Sequence, residues 1–564
     1  MLARTLHYIW LLIVAALFLA AIVLAAGRLW VPTLGAYRAE METLASETLG
    51  KNVSIGGIQG TWRGLSPVLK LRDIVIAEPG QPETALVIDQ VWIGIDVKNY
   101  LQDHHLSLNS IDVIGADVTV IRGPDGKFSV DRLGNTTGDD ASLAELFNID
   151  RLSIHDSVIT YEDRYAKRPP VRFSDVTLAL DNAGEYPFLT GFAMLPAALG
   201  HRVDIAAELR STEGLPAQWG GRVYLEGQSL LISQDNLRSI ASDVNISGTA
   251  DLRCWADLSA GKLKQVRSEL EVTALQLHQQ DADTHTDYMI DRFSGRFGWR
   301  RQPDGWQLTA QQLIVKQGDV VREGTGVSIA QRSYQGDSWY SGEFTGLYLE
   351  DLQLLARTAP GIPEARRQDI ARLQPGGLVE KLYIDARTAG EHTEVTGFDM
   401  TFRDLAVRPV DGPGFSGLRG SVTGTKDRGA VWLRTRHAGF YDAGVFRDEL
   451  QFDDVTGEVG WQWQDGNLAI TGDALHLANA DLAVTGQLEL SVPAGDAAPV
   501  VDLQLDVDRA LLGRIRHYLP AHVMPVKGVT WLDRSLVSGT IRDGSVLLKG
   551  PLDKLPFDHG EGRL

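Results

Sequence analysis

The chain has 564 residues, and its 54 Lys and Arg stand against 73 Asp and Glu. The formal net charge of -19, with no basic patch along the sequence, argues against nucleic-acid or other polyanion binding. Hydrophobic residues at 44% and charged residues at 23% exclude a disordered chain, and the single cysteine, Cys254, excludes an internal disulfide, so packing and hydrogen bonds hold the fold.

Residues 1–8 form a short tail. From Ile9 to Ala26 no side chain is polar or charged. As a helix this run covers about 27 Å, close to the hydrocarbon thickness of a bilayer. The sequence therefore predicts a single transmembrane helix over 9–29. Ile9, Trp10, Leu11, Leu12, Leu17, Phe18, Leu19, Ile22, Val23 and Leu24 form the membrane anchor, flanked by His7, Tyr8, Arg28 and Trp30. A cleaved signal peptide, the competing reading, has a shorter apolar run of about 7 to 15 residues. Arg4 on one side, with Arg28 and Arg38 on the other, leaves the orientation undecided by charge. Residues 30–50 read as an amphipathic helical connector.

From residue 51 onward apolar and polar residues alternate with period two, the pattern of strands with one dry and one wet face. The sequence predicts strands over 51–348, a helical insertion over 349–376, more strands over 377–508, a short helical insertion over 509–528 and further strands over 529–564. Helical pieces are expected at Leu143 to Phe147, Leu352 to Arg357, Pro363 to Leu373 and Leu511 to Leu519. Polar interruptions fall at Asn135 to Ser142 and Pro493 to Pro499.

A hairpin unit recurs: Phe293 to Trp299, Leu418 to Gly424 and Val455 to Trp461 each precede a glycine turn and a second strand. Ile111 to Thr119 likewise echoes Leu152 to Thr160. Such self-similarity points to a quasi-linear stack of strands, although any antiparallel sheet gives some echoes. The cleanest alternation is Val501, Leu503, Leu505 and Val507, with Leu482, Val484, Leu488 and Leu490 before it. These eight are expected on one apolar face; the competing reading is an ordinary sheet packed on another sheet.

The chain has no nucleophile elbow, phosphate-cradling glycine loop or paired histidines on a helical face. His278, Asp281, Asp283, His285 and Asp287 have ligand chemistry but read as a solvated loop, and His104 with His105 as surface. Asp453 and Asp454 are acidic residues of a turn; glycosidase chemistry needs two carboxyls about 5 to 10 Å apart across a cleft. No catalytic residue, metal or cofactor is assigned.

The order of short motifs resembles the AsmA-like superfamily, in its YhdP-type branch. Leu49 to Ile55 leads into Ile58-Gln59-Gly60-Thr61-Trp62-Arg63-Gly64 and then Leu69 to Ile74, similar to that family's opening hairpin. Phe415 to Gly420, Asp448 to Trp461, Tyr518-Leu519-Pro520, Trp531 to Arg534 and Gly550-Pro551-Leu552 are similar to its central region. Members are usually much longer, so the chain looks like the N-terminal part of one. The resemblance implies a mainly β fold: an inner-membrane helix, then an elongated, twisted, repetitive antiparallel sheet curled into an apolar groove in the periplasm. It implies non-enzymatic movement of phospholipid from the inner toward the outer membrane, supporting the outer-membrane barrier. Implied partners are membrane phospholipids, the inner membrane, and outer-membrane or other envelope proteins; nucleic acid is not among them. The alternatives are a periplasmic scaffold or outer-membrane assembly factor that offers strand edges to clients, and a periplasmic glycan-active enzyme.

Overall fold

A computed structural model describes residues 35–564 apart from 36, 65, 79–80, 97–107, 127, 132–148, 167, 211–219, 238–244, 281–284, 353–363, 410–411, 496, 555–556, 558–559, 561 and 564. Before residue 35 it describes only residues 10, 14, 15, 17 and 18. The expected membrane anchor thus falls largely outside the described residues; Trp10, Leu17 and Phe18 of it are described, and they are helical and exposed. Among the described residues no helix is long and apolar enough to cross a membrane.

The chain divides into two compact units, Met1–Met289 and Ile290–Leu564. The first holds helix α1 (Arg38–Leu49) and strands β1 (Asn52–Arg63), β2 (Ser66–Glu78), β3 (Gln81–Ile95), β4 (Leu108–Arg122), β5 (Phe128–Val130), β6 (Arg151–Asp163), β7 (Val171–Asp181), β8 (Phe188–Met194), β9 (Arg202–Arg210) and β10 (Gly220–Ser233). The short helix α2 (Gln234–Leu237) and strands β11 (Asn245–Ser259) and β12 (Lys262–Gln280) complete it. Described neighbours pair antiparallel, except that β4 and β6 run parallel, joined by the crossover that follows the small hairpin strand β5.

The second unit begins within β13 (His285–Gln302) and continues through β14 (Gly305–Gln317), β15 (Val320–Tyr334), β16 (Asp337–Tyr348), helix α3 (Glu364–Leu373), β17 (Pro375–Ala389), β18 (His392–Val407), β19 (Gly414–Gly424) and β20 (Arg428–Thr435). There follow β21 (Ala438–Tyr441), β22 (Leu450–Phe452), β23 (Asp454–Gln464), β24 (Asn467–Ala478), β25 (Leu482–Val492) and β26 (Val500–Leu511). A 3-10 turn (Leu512–His517), helix α4 (Val526–Ser535), β27 (Thr540–Ile541) and β28 (Gly544–Pro551) close the unit. Tight connections at 303–304, 335–336, 390–391, 425–427 and 465–466 lie at one margin of this sheet. The insertions carrying α3, β21 with β22, and α4 all leave from the opposite margin.

Helix α1 lies along the edge strand β1 and satisfies its backbone. Glu42 Oε1 accepts the Ile55 N–H at 2.7 Å, Ser46 Oγ accepts the Val53 N–H at 3.0 Å, and Arg38 donates to the Gly56 carbonyl at 3.1 Å. The connector expected to be amphipathic therefore turns polar side chains to the sheet, while Leu44 and Leu49 stay exposed. An unpaired edge needs hydrogen-bond acceptors and donors more than apolar cover.

The strands are not uniform ribbons. Many carry one residue with positive φ near the same level, among them Asp73 (51°), Gly115 (68°), Asp156 (48°), Asp175 (49°), Gln312 (53°), Asp404 (55°), Gly417 (73°) and Ala474 (48°). Asp and Gly tolerate this left-handed conformation best, which accounts for much of the list. At each such point the alternation changes phase: Leu69 and Leu71 share a face with Ile74 and Ile76, not with Asp73 and Val75. Because neighbouring strands change phase together, the apolar face continues across the seam, where Ile74, Ile76, Leu86, Ile88 and Ala116 form a buried cluster. Within each unit a buried hydroxyl fastens such a change of phase. Ser157 Oγ accepts the Ala116 N–H at 3.0 Å, and Thr435 Oγ1 accepts the Arg419 N–H at 2.8 Å while donating to the Arg419 carbonyl at 2.9 Å. Bulges of this kind increase local twist and bend the strands that carry them.

The expected helical piece Leu143 to Phe147, and Leu352 to Arg357 beyond its first residue, lie outside the described residues; among those described, helix α2 is unexpected and a second departure is larger. Val526–Ser535 is helical, where the residues after Pro525 read as the approach to a new strand. Asp533 on α4 receives a two-pronged ion pair from Arg447, at 2.8 and 3.0 Å, which ties the helix to the segment between β21 and β22.

Candidate functional site

Residues opposite one another in paired strands point to the same side of a sheet. In the second unit, following the partners from strand to strand gives one row through thirteen strands: Phe297, Ala310, Val327, Phe344, Leu382, Met400, Val422, Val431, Val459, Gly472, Leu488, Leu503 and Leu548. No member is polar. A second row beside it holds Trp299, Leu308, Ile329, Gly342, Ile384, Phe398, Gly424, Gly429, Trp461, Ile470, Leu490, Val501 and Gly550.

The register position between these rows faces the other side, and its members are Gly298, Thr309, Ser328, Glu343, Tyr383, Asp399, Thr423, Ala430, Gly460, Thr471, Glu489, Asp502 and Lys549. Polar partners hold that side together: Lys549 Nζ lies 2.6 Å from Asp502, and the Tyr383 hydroxyl donates to Glu343 at 3.2 Å. The Lys549 ammonium, with a lesser hydrogen bond from Gln504, holds the Asp502 carboxyl below its ordinary range.

The first unit repeats the arrangement over eleven strands. Gly60, Leu69, Ile93, Ile111, Leu152, Leu180, Leu189, Ala207, Val223, Ala256 and Val266 form one row. Ile58, Leu71, Val91, Val113, Ile154, Leu178, Gly191, Ile205, Leu225, Cys254 and Ser268 form the next. Cys254 is thus the one thiol on an apolar face, and burial pushes its pKa up.

These rows are only half covered. In the first row of the second unit, Ala310 and Val422 are the only buried side chains; Phe297, Val327, Phe344, Leu382, Met400, Val431, Val459, Leu488, Leu503 and Leu548 are half-buried. A sheet packed face to face on another buries its inner side chains throughout. The faces are therefore apolar through each unit, apart from Ser268 at the last strand of the first, and partly open.

All eight side chains expected on an apolar face share one. Leu490 pairs with Val501, Leu488 with Leu503 and Val484 with Val507, while Leu482 pairs with Ala510 beyond a phase change in β26. Their surroundings differ. Leu482 and Val507 are buried in a cluster with Ala510, against which Phe452, Ile515 and Tyr518 pack. Val501 is 6% exposed, and Gly550, its partner on β28, has Phe557 against it. Leu503, Leu505, Leu488, Leu490 and Val484 are half-buried. The sequence left the aromatic members of the rows unassigned; the Gly-Trp spacing of the recurring hairpins carried that signal.

A cavity of about 390 Å³ on the polar side of the first unit is lined by Arg63, Trp92, Asp112, Arg151, Ser153 and His155, among others. Its charges satisfy one another: Arg63 lies 2.9 Å from Asp112, Ser153 Oγ donates to Asp112 at 2.5 Å, and Arg151 lies 3.6 Å from Asp181. It serves the wet face. Among the described residues no group of His, Cys, Asp and Glu is placed to hold a metal ion. Asp281 and Asp283 of the cluster weighed above, and His104 with His105, lie outside the described residues.

The model of a family described as YhdP protein matches residues 1–564. Over 592 aligned residues the chain is 22% identical to the intermembrane phospholipid transporter YhdP of Escherichia coli (strain K12), with 99% of this chain and 44% of that relative covered. The chain thus spans less than half the length of the relative it matches. No solved structure matches it.

Proposed function

Since the chain belongs to the YhdP family, we propose that it carries phospholipid through the periplasm from the inner toward the outer membrane, with acyl chains against the apolar rows and head groups in water. The observation that carries this reading is the row from Phe297 to Leu548, apolar at all thirteen positions and half-buried at ten of them. A phospholipid has about 30 methylene groups, and exposing them to water costs about 24 kcal/mol at ~0.8 kcal/mol each. A continuous apolar face removes most of that cost, and no residue needs to react, so the role is non-enzymatic. Residues 9–29 anchor the chain in the inner membrane, which places α1 and β1 nearest the donor bilayer. Partners in this reading are the phospholipids, the inner membrane and envelope proteins met at the far side.

The test uses the full chain in phosphatidylethanolamine vesicles carrying a photoreactive acyl chain. Wild type is expected to crosslink lipid on β25, β26 and β28 and to retain phospholipid in native mass spectrometry. Leu503→Arg combined with Leu505→Asp is expected to abolish that crosslink while circular dichroism stays unchanged. Undiminished crosslinking in the double variant, or a wild-type chain that never carries lipid, overturns the proposal; the second result favours a scaffold that binds client strands.

A further inference from the structure

We infer that Phe398 and Trp461 form a discrete resting station for a phospholipid hydrocarbon chain, a pair of nearly parallel rings gathered at two glycines. The inference rests on the reading of the apolar rows as a lipid path and adds a preferred stopping point to it.

Phe398, Gly424, Gly429 and Trp461 are successive partners on β18, β19, β20 and β23. Three strand spacings separate the two aromatic residues, about 14 Å at ~4.8 Å each. Their ring centroids are nevertheless 6.3 Å apart, with the planes inclined by only 14°. The side chains therefore close most of that gap, and the Trp461 indole reaches over the glycines. The positions show how closely: a Cβ on Gly429 would stand 2.3 Å from Trp461 Cη2 and 2.4 Å from its Cζ2, and one on Gly424 would stand 3.1 Å from Cζ2. Gly429 and Gly424 leave the space that the indole occupies.

Elsewhere the two rows are aliphatic side chains, glycines and the rings of Phe297, Trp299 and Phe344, and where Phe297 meets the ring of Phe293 the planes are tilted by 46°. Branched side chains give a knobbed surface that a hydrocarbon chain crosses with changing contact. Two nearly parallel rings gathered over glycine give a broader one, and each ring presents more apolar area than an aliphatic side chain. Both rings are half-buried, so each keeps apolar surface open to a ligand. Ile384 and Ile470 flank the two rings along the row, keeping the approach apolar from either direction. A methylene chain therefore finds more contact here than a few strands away.

The test uses the full chain with phosphatidylethanolamine bearing an acyl-chain diazirine, crosslinks being mapped by peptide. In wild type, labelling is expected to concentrate on the peptides holding Phe398 and Trp461 over those holding Leu503 and Leu548. Trp461→Leu is expected to lower labelling at the station roughly tenfold, equivalent to about two methylene groups returned to water, and to leave it unchanged at Leu503. Trp461→Phe, which keeps a ring, is expected to retain most of it. Even labelling along the row in wild type, or undiminished labelling in Trp461→Leu, overturns the station and leaves the lipid path standing. Absence of labelling anywhere overturns both.

Discussion

Replacing Thr435 with valine removes two hydrogen bonds and almost no volume. Thr435 is 1% exposed, and its hydroxyl both accepts from the Arg419 N–H and donates to the Arg419 carbonyl. It sits beside the phase change where Gly417 has φ of 73° and His437 of 62°. Valine fills the site but leaves the Arg419 amide and carbonyl without partners. Each stranded group costs about 1 to 3 kcal/mol, so the expected loss is about 2 to 4 kcal/mol after some relaxation. Thr435→Ser keeps both bonds and loses one methyl group, about 1 kcal/mol. Global unfolding of a chain with two units is not a two-state process, so the assay is native-state hydrogen exchange. Thr435→Val should speed exchange of the Arg419 amide by about 30-fold or more, the factor for ~2 kcal/mol. Amides of the first unit should not change. If Arg419 exchanges no faster in the valine variant than in the serine variant, the hydroxyl does not fasten the seam and the reasoning fails.

The Glu42 carboxyl lies below its ordinary value of 4.5, first because the Ile55 N–H donates to it and then through Arg38. A depressed carboxyl stabilises the folded state above 4.5 and loses that effect as pH falls through the lower folded value. Protection of the Ile55 amide should therefore drop in that acid window, and Glu42→Ala should remove the step. Gly115 has φ of 68°, and a Cβ there would meet the Asp89 carboxylate; Gly115→Val should cost about 2 kcal/mol or more and lower the melting temperature of the first unit, with Gly115→Asn milder. Arg447→Ala should free α4 from its ion pair with Asp533; the pair is open to solvent and screened by it, so limited proteolysis between residues 518 and 540 is the expected readout, with no change in melting.

The strands themselves were legible because half-covered strands alternate. Val501 to Asp508 shows this without interruption and forms β26. The echo between Ile111 to Thr119 and Leu152 to Thr160 has a direct structural meaning, since these segments pair in parallel with Ile111 opposite Leu152 and Thr119 opposite Thr160. Gly115 and Asp156 even carry the positive φ of each copy. What local alternation hides is the change of phase at such residues. It joins Leu71 to Ile74 on one face at a spacing of three, and only pairing between strands reveals that. The same limit applies to Leu482, which continues the spacing of Val484 but lies beneath Ile515 and Tyr518. Helix α4 escaped notice because Val526, Val529 and Thr530 favour strands. Pro525 at its start is an ordinary helix-opening signal, and the contact that favours helix comes from Arg447, distant in sequence.

The two margins of the second unit differ in what they tolerate. At one, five of the six connections turn back within two or three residues, so a residue added to these would slide the ladder and break the alignment of Leu382 with Met400 or of Val459 with Gly472. At the other, whole helices already interrupt the meander and the rows pass by undisturbed. Length variation among family members should therefore gather at the margin carrying α3 and α4. Evolution is free to embroider that border with new docking elements while the opposite hem keeps its stitch count.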